Sequence, residues 1–552
     1  MNIIVIFFLS FAISASLTPF LISVFKKKGI VDRPNDRKIH RNSVPQMGGI
    51  IIFPIVFVFI LSALQDINHL RFFLLSSITL LACGVIDDLA ILNWKKKFII
   101  QGISVTFLLI YYSKWAGAIS ILGIAIPLPL SYILFFIFIL GAINSINLMD
   151  GLDGLVSGYS SLVCISIFLL AYTKNDFLDI VISSSLLGTL IGLIKYNSYP
   201  ADIFLGDTGS LILGLLLVFI SLNTAIAYGD GYRLDIIFPI MLLGLPLTDT
   251  LKVIFLRLNS KKNPFLPDNN HLHYSLLNFS FRQKIVVFII HSISILFIVT
   301  ALFYLKSKNL LFVIPFAILC LIIFFDNIIL KRLKGTESLR NILKNVLLYP
   351  SIIISTYKKY LVVISTLFYI LLLISTFHLN KTIEHSVLLL LLIGGVIILS
   401  LSILHNKRKN SLIPIYVYFN ILFLLLLNTN IFPIHSFNIF SWLTINTKLY
   451  IYSLLVLLAV VLFFFIARDK IISKSLNFFS SFDLIILTLT SMLYLIQDFL
   501  PISKSEILLS LVFSLIIYFW FKVISFINSR ISIYVYYSLF VVNFLIIILS
   551  FF

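Results

Sequence analysis

The chain is 552 residues long, 60% hydrophobic, 15% aromatic and only 11% charged, with a mean hydropathy of +1.10. That balance excludes a soluble globular domain, and apolar runs of membrane-spanning length recur to the last residue. The formal net charge of +19 would suit nucleic acid if it were gathered on a surface. Instead the basic residues sit in short clusters between apolar runs, the positive-inside pattern, with the lipid bilayer as general partner and no nucleic acid.

Counting apolar runs of about 17–24 residues predicts an all-α polytopic integral membrane protein of roughly 18 transmembrane helices. In chain order the expected spans are 2–25, 47–65, 70–86, 98–113, 130–147, 155–173, 178–195, 208–228, 234–257, 284–305 and 309–330. A basic connector follows, then 361–377, 385–404, 412–428, 449–466, 482–499, 506–526 and 531–551. The first run lacks a basic leader and a clear small-residue cleavage site, so it is expected to be a retained span. Strongly basic links follow spans 1, 3, 9, 11, 13 and 15, which predicts an N-terminus outside and catalytic loops in the cytoplasm. Lys306 and Lys308 are the exception. Cys83, Cys164 and Cys320 fall inside apolar runs as small core residues, with no disulfide or metal spacing.

The polar groups of the first half collect in those cytoplasmic links. Asn144, Asn147, Asp150 and Asp153 recur at intervals of three between two apolar runs, a slowly drifting stripe on one helix side. Such an expensive helix end points to a cation or a reacting group. Asp87 and Asp88 close span 3 and repel one another; they are either interfacial residues offset by Lys95–Lys97 or a carboxylate pair beside a divalent cation. Gly206-Asp207-Thr-Gly-Ser210 opens span 8 as a simple N-cap or as a phosphate-accepting helix N-terminus, with Asn197 in the same link. His271 and His273 face one side of an extended segment and suit phosphate or ribose hydrogen bonding better than zinc. Arg37, Lys38 and Lys97 are either solvated positive-inside charges or phosphate ligands. Polar groups on a transport path would sit near mid-span. Their gathering at one face predicts instead phosphoryl or phosphoglycosyl transfer, with Mg2+ (or Mn2+) held by hard carboxylates.

At these residues the chain resembles the polyprenyl-phosphate N-acetylhexosamine-1-phosphate transferase family, glycosyltransferase family 4. The matching motifs are Arg33-Pro-Asn-Asp-Arg-Lys-Ile-His, Pro45-Gln-Met-Gly-Gly, Asp87-Asp88-Leu and Asn144-Ser-Ile-Asn-Leu-Met-Asp-Gly-Leu-Asp-Gly-Leu. They continue with Phe204-Leu-Gly-Asp-Thr-Gly-Ser-Leu, Leu245-Pro-Leu-Thr-Asp249-Thr and Pro264-Phe-Leu-Pro-Asp-Asn-Asn-His-Leu-His, in family order across residues 1 to 330. The first motif looks like the undecaprenyl-phosphate GlcNAc-1-phosphate transferase branch. The resemblance implies a bacterial cytoplasmic (inner) membrane enzyme that moves HexNAc-1-phosphate from a UDP-N-acetylhexosamine to undecaprenyl phosphate, releasing UMP. It implies Asp207 as principal Mg2+ ligand with Asp87 beside it, and Asp87, Asp88, Asp150 and Asp153 at the catalytic centre. Lys38, Lys97, Asn144, Asn147, Asn197, His271 and His273 would bind substrate, and a homodimer is compatible with it. Many members carry a histidine where this chain has Tyr274, which restricts that position to hydrogen bonding.

The expected division is therefore a transferase membrane domain over 1–330, a cytoplasmic connector over 331–360 and an additional membrane domain over 361–552. The last part carries no polar constellation, and its residues name no function. A lipid-linked glycan transporter or flippase, alone or fused to the transferase, is the rival reading. It predicts mid-span charges in 361–551, where the sequence has almost none.

Overall fold

The computed structural model describes residues 3–32, 43–64, 67–117, 119–229, 233–263, 270–279, 281 and 283–334. The expected connector beyond 334, the additional domain over 361–552 and the basic loop carrying Lys38 lie outside these residues. The described part is helical, in the order α1 (Ile3–Lys28), α2 (Ile52–Ala63), α3 (Arg71–Ala90), α4 (Trp94–Tyr111), α5 (Ser113–Ala116), α6 (Leu130–Met149), α7 (Leu155–Lys174) and α8 (Phe177–Asn197). It continues with α9 (Gly206–Ala227), α10 (Ile237–Leu242), α11 (Gly244–Asn259), α12 (Leu272–Asn278), α13 (Gln283–Ser307), α14 (Val313–Phe324) and α15 (Asp326–Lys334). Seven stretches in these residues are helices long and apolar enough to span a bilayer, ending respectively at Lys28, Ala90, Met149, Lys174, Asn197, Ala227 and Ser307. The chain is a polytopic helical membrane protein.

Five short strands accompany the helices. β1 (Val31–Asp32) pairs antiparallel with β2 (Val44–Pro45), closing the base of the basic loop. At the other end of the bundle β3 (Ile119–Ile121) lies between β4 (Ile124–Ala125), antiparallel, and β5 (Leu234–Asp235), parallel.

The centre is α7, α8 and α9, apolar nearly all round and buried nearly all round, as a fully enclosed helix must be. α1 and α7 flank α8, and α3 and α6 flank α9. With lipid outside, association rests on close packing and hydrogen bonding. Ser14 Oγ donates across the α1–α8 contact to the Thr189 carbonyl at 2.7 Å. Phe219 on α9 stacks on Phe73 of α3 with centroids 3.8 Å apart. At the end of α9 away from Asp207, the buried Asp179 carboxylate accepts from Asn223 Nδ2 at 3.0 Å and Thr224 Oγ1 at 3.2 Å, joining α8 to α9.

Three sequence expectations change. The helix expected over 98–113 begins at Trp94, because Asn93 caps it by accepting from the Lys95 N–H. Lys97 therefore lies on the first turn of α4 and not in a link. The expected single span over 234–257 is broken into β5, α10 and α11, with Pro246 in the first turn of α11, where its missing N–H costs no helical bond. The expected span over 309–330 breaks at Phe325 into α14 and α15, and the break buries Asp326.

Phe219 is wholly buried and in ring contact with Phe73, Tyr111 and Tyr112. Phe219→Ala is expected to cost about 3 kcal/mol, read as a lower thermal unfolding midpoint in detergent, and Phe219→Leu distinctly less.

Candidate active site

Four helix ends meet at one end of the bundle. α3 delivers Asp87, α4 delivers Lys97, α6 delivers Asn147 and α9 delivers Asp207. Lys97 Nζ donates to Asp87 Oδ2 at 2.9 Å and pairs closely with Asp207 Oδ2. Asn147 Oδ1 lies 3.5 Å from the same ammonium, while its Nδ2 donates to Asp207 Oδ1 at 2.6 Å and to Ser210 Oγ at 2.8 Å. The other oxygen of Asp87 accepts from the Leu92 N–H at 2.6 Å, fixing the carboxylate against the turn that follows α3.

Asp88 is used differently from its neighbour. α9 has no side-chain cap of its own. Asp88 reaches across from α3 and accepts from the Asp207 N–H at 2.9 Å, the Thr208 N–H at 3.0 Å and Thr208 Oγ1 at 2.6 Å. A carboxylate at a helix N-terminus is favoured both by the unpaired N–H groups and by the dipole. Gly206 makes the approach feasible: its φ is +71°, and a Cβ there would press on the Asp88 carboxylate. The Pro45–Gly49 motif supports the same junction. Phe204 N–H donates to the Pro45 carbonyl at 2.8 Å, Gly48 and Gly49 donate to the Phe204 and Leu205 carbonyls, and Gln46 Nε2 donates to the Asp88 carbonyl at 2.6 Å.

The stripe expected from Asn144 to Asp153 is not one helix face. α6 stops at Met149, Asp150 has left helical geometry, and Asp153 lies in the turn before α7. Two glycines with low helix propensity and two carboxylates at the unfavourable end of the dipole account for the break. Its members separate accordingly. Asn144 Nδ2 donates to Gln101 Oε1 and the Leu140 carbonyl, both at 2.9 Å, which places it in the α4–α6 contact. Asp153 Oδ2 accepts from the Ala201 N–H at 3.0 Å. Asn197 accepts from Ser157 Oγ at 2.8 Å and donates to the Ile203 carbonyl at 3.0 Å, so its amide is engaged in holding α7, α8 and the 198–205 loop together. Asp150 remains beside the main cluster. Burial first, then the negative charges of Asp207, Asp88 and Asp153, push its carboxyl up to about 8.

The two histidines approach from the far side of that turn. The His273 ring packs on Gly151 so closely that a Cβ there would collide with it. Its Nε2 is buried and has no hydrogen-bond partner among the described residues. Burial also lowers its pKa to about 4, so the imidazole is neutral near pH 7. His271 lies parallel to it, centroids 5.7 Å apart, and its Nδ1 is 2.8 Å from Asp249 Oδ2. Behind Asp249 stands a buried ion network that the sequence reading did not assign. Lys252 Nζ lies 3.2 Å from Asp249 Oδ1 and 2.9 Å from Asp326 Oδ2. The available signal was a charge inside each of two apolar runs, which is costly without a partner.

A divalent cation at this cluster would draw on its carboxylates. Among the described residues no three His, Cys, Asp or Glu side chains form a complete ligand group. Mg2+, however, characteristically takes one or two carboxylates, keeps several waters and shares phosphate oxygens. Asp87 and Asp207 supply such a pair. They already flank a cationic group, the Lys97 ammonium. Two carboxylates face that one ammonium, leaving the excess negative charge that a divalent cation offsets. The residues fit Mg2+.

A polytopic helical membrane protein with a cluster of carboxylates, amide and ammonium at the meeting of four helix ends is the class that fold and site define. The family model for glycosyl transferase family 4 matches residues 70–225, the stretch from α3 to α9 that carries Asp87, Lys97, Asn147 and Asp207. A probable undecaprenyl-phosphate N-acetylglucosaminyl 1-phosphate transferase of Bacillus subtilis is 32% identical over 328 residues, 59% of this chain and 90% of that protein. An undecaprenyl-phosphate alpha-N-acetylglucosaminyl 1-phosphate transferase of Thermotoga maritima is 31% identical over 330 residues, 59% of this chain and 98% of that protein. One of the same description from Yersinia pestis is 27% identical over 271 residues, 47% of this chain and 72% of its own length. The chain belongs to glycosyl transferase family 4.

The Asp150 carboxyl gives a pH prediction. Its folded value of about 8 lies above the ordinary 3.8, so the folded state holds the proton more tightly than the unfolded chain. The stabilisation is complete below the lower value, declines as pH rises and is gone above the upper one. In chelator, the unfolding midpoint is expected to fall between about pH 4 and 8, and Asp150→Asn, a mimic of the neutral acid, to flatten that fall.

Proposed function

We propose that the protein transfers HexNAc-1-phosphate, GlcNAc-1-phosphate or that of a modified N-acetylhexosamine, from a UDP-sugar to undecaprenyl phosphate with release of UMP. This would be the first membrane step of a cell-surface polysaccharide. The observation that carries the reading is Lys97 held between Asp87 and Asp207, with Asn147 on the same carboxylate. A transferred phosphoryl group needs clustered cationic groups anchored by carboxylates at its oxygens. The names of the relatives agree with this acceptor and this group. The basic links that follow odd-numbered spans support an outside N-terminus and a site facing the cytoplasm, where nucleotide sugars are available. We extend the topology to roughly 18 spans in the bacterial inner membrane, the last seven or so belonging to the 361–552 stretch.

In this reading Asp207 and Asp87 would hold Mg2+, and the cation would supply charge neutralisation for the transferred group. Lys97 stabilises the negative charge of the lipid phosphate or of the transferred group. The lipid phosphate oxygen forms the new bond to the sugar-bearing β-phosphorus as the bond to the UMP oxygen breaks. A phosphate monoester is largely ionised near neutral pH, so no strong base is required of Asp87. Asp88 keeps Asp207 in place through the α9 N-terminus and takes no part in bond making. His273 Nε2 offers the donor a neutral hydrogen-bonding group, and the His271 ring, oriented by Asp249, offers a second contact. Asp150 in its turn and Lys38 on the basic loop complete the nucleotide and phosphate contacts.

The decisive experiment incubates membranes with Mg2+, polyprenyl phosphate and a panel of labelled UDP-HexNAc donors. UMP release with at least one donor is expected, falling by about 10²–10³-fold in Asp207→Asn and Lys97→Met. No release with any donor would refute the reading. Asp88→Asn keeps one accepting oxygen at the α9 cap and is expected to retain more activity than Asp88→Ala, with UDP-sugar–UMP exchange strictly dependent on lipid in both.

A further inference from the structure

Lys252 and Asp326, the part of the buried network behind Asp249, have no role in the proposed chemistry so far, yet such charges are unusual in a bilayer-embedded bundle. Lys252 is wholly buried, and Asp249 and Asp326 are nearly so. Charges removed from water persist only when paired and hydrogen-bonded, and even then an apolar replacement is often as stable. Stability alone therefore gives little reason for the cluster.

Its geometry converges on one ring. Asp249 spends Oδ2 on His271 Nδ1 at 2.8 Å, and Oδ1 on the Leu272 N–H at 2.8 Å and Lys252 Nζ at 3.2 Å. An ionised carboxylate only accepts, so Nδ1 carries the proton and the ring is fixed in one tautomer and one orientation. Lys252 in turn is held by Asp326 at 2.9 Å, the first residue of α15. α12 is fastened to the same helix by Ser275 Oγ, which donates to the Asn327 Oδ1 at 3.0 Å and to the His271 carbonyl at 3.3 Å. Thus the Asp249 carboxylate of α11 holds both the His271 side chain and the N–H of the residue after it, while Ser275 ties α12 to Asn327 of α15.

We infer that Lys252 and Asp326 are positioning residues for the donor-binding site: through Asp249 they hold His271 at the angle and tautomer in which its free ring nitrogen meets the nucleotide-sugar donor. This inference rests on the reading of His271 as a donor-binding group. It assigns a function in substrate recognition to two charges that contact no substrate. Without Lys252, Asp249 faces Asp326 unneutralised and its hold on His271 slackens. Without the Asp326 carboxylate, Lys252 turns wholly to Asp249 and draws it from the ring.

The test uses the full-length protein in membranes, with UDP-GlcNAc and a polyprenyl phosphate as probes. His271→Ala is expected to raise the KM for UDP-GlcNAc, and Lys252→Met and Asp326→Asn each to raise it about tenfold with kcat within about threefold of the parent. Combined with His271→Ala, neither is expected to add a further increase, since both act through that ring. The swap Lys252→Met with Asp326→Leu removes both charges together and is expected to restore the unfolding midpoint while KM stays raised. A KM that returns to the parental value in the swap, single variants that leave KM unchanged, or effects fully additive to His271→Ala would overturn the inference alone. A His271→Ala variant with unaltered KM, in protein that still releases UMP, would overturn the donor-binding reading of His271 and this inference with it.

Discussion

One ammonium organises the described part of this protein. Lys97 Nζ lies between Asp87 and Asp207, and without it two carboxylates at the ends of different helices would repel across a partly buried gap. α3, α4 and α9 can therefore close on one another at this end only with their charges interleaved. Asn147, donating to Asp207 with one end of its amide and facing Lys97 with the other, brings α6 to the same point. The same side chains thus serve both the packing of α9 between α3 and α6 and the site.

A second circuit lies on the other side of the Asp150–Gly154 turn. There the pair is imidazole and carboxylate, His271 with Asp249, backed by Lys252 and Asp326. The two circuits touch through the turn itself: Asp150 senses the charges of Asp207 and Asp88, while Gly151 carries the His273 ring. A turn with no regular structure thus has the task of holding a fixed spacing between two groups of helices. Its anchors are the Asp153 bond to Ala201 and the paired amide of Asn197.

Much of this was legible in the residues, for reasons that differ by type. Helix positions followed from apolar run length because nothing but a helix satisfies its backbone in lipid, and α1, α3, α6, α7, α8, α9 and α13 fall where the runs lie. Asp87, Asn147 and Asp207 stood out because each lies at the end of such a run, while Lys97, one of three lysines in a basic link, was singled out by the family resemblance; the structure brings the four into contact. Other features depended on contacts between distant residues, which hydropathy does not encode. Asp88 looks like half of a pair with Asp87, but neighbours on a helix point about 100° apart, and the two carboxylates serve different helices. Asn144 and Asn197 share the spacing and chemistry of ligands, yet their partners, Gln101 and Ser157, are distant in sequence. Lys252 and Asp326 were hidden inside expected spans that the structure shows to be broken.

The cap that Asp88 places on α9 makes a measuring device of two adjacent residues. Asp87 touches Lys97 while Asp88 grips the backbone of Asp207, so the distance between the two reacting-site carboxylates is set by a single peptide unit of α3. Inserting one residue between Asp87 and Asp88 would rotate one carboxylate out of register with the other. The doublet is thus a constraint on spacing as much as on charge.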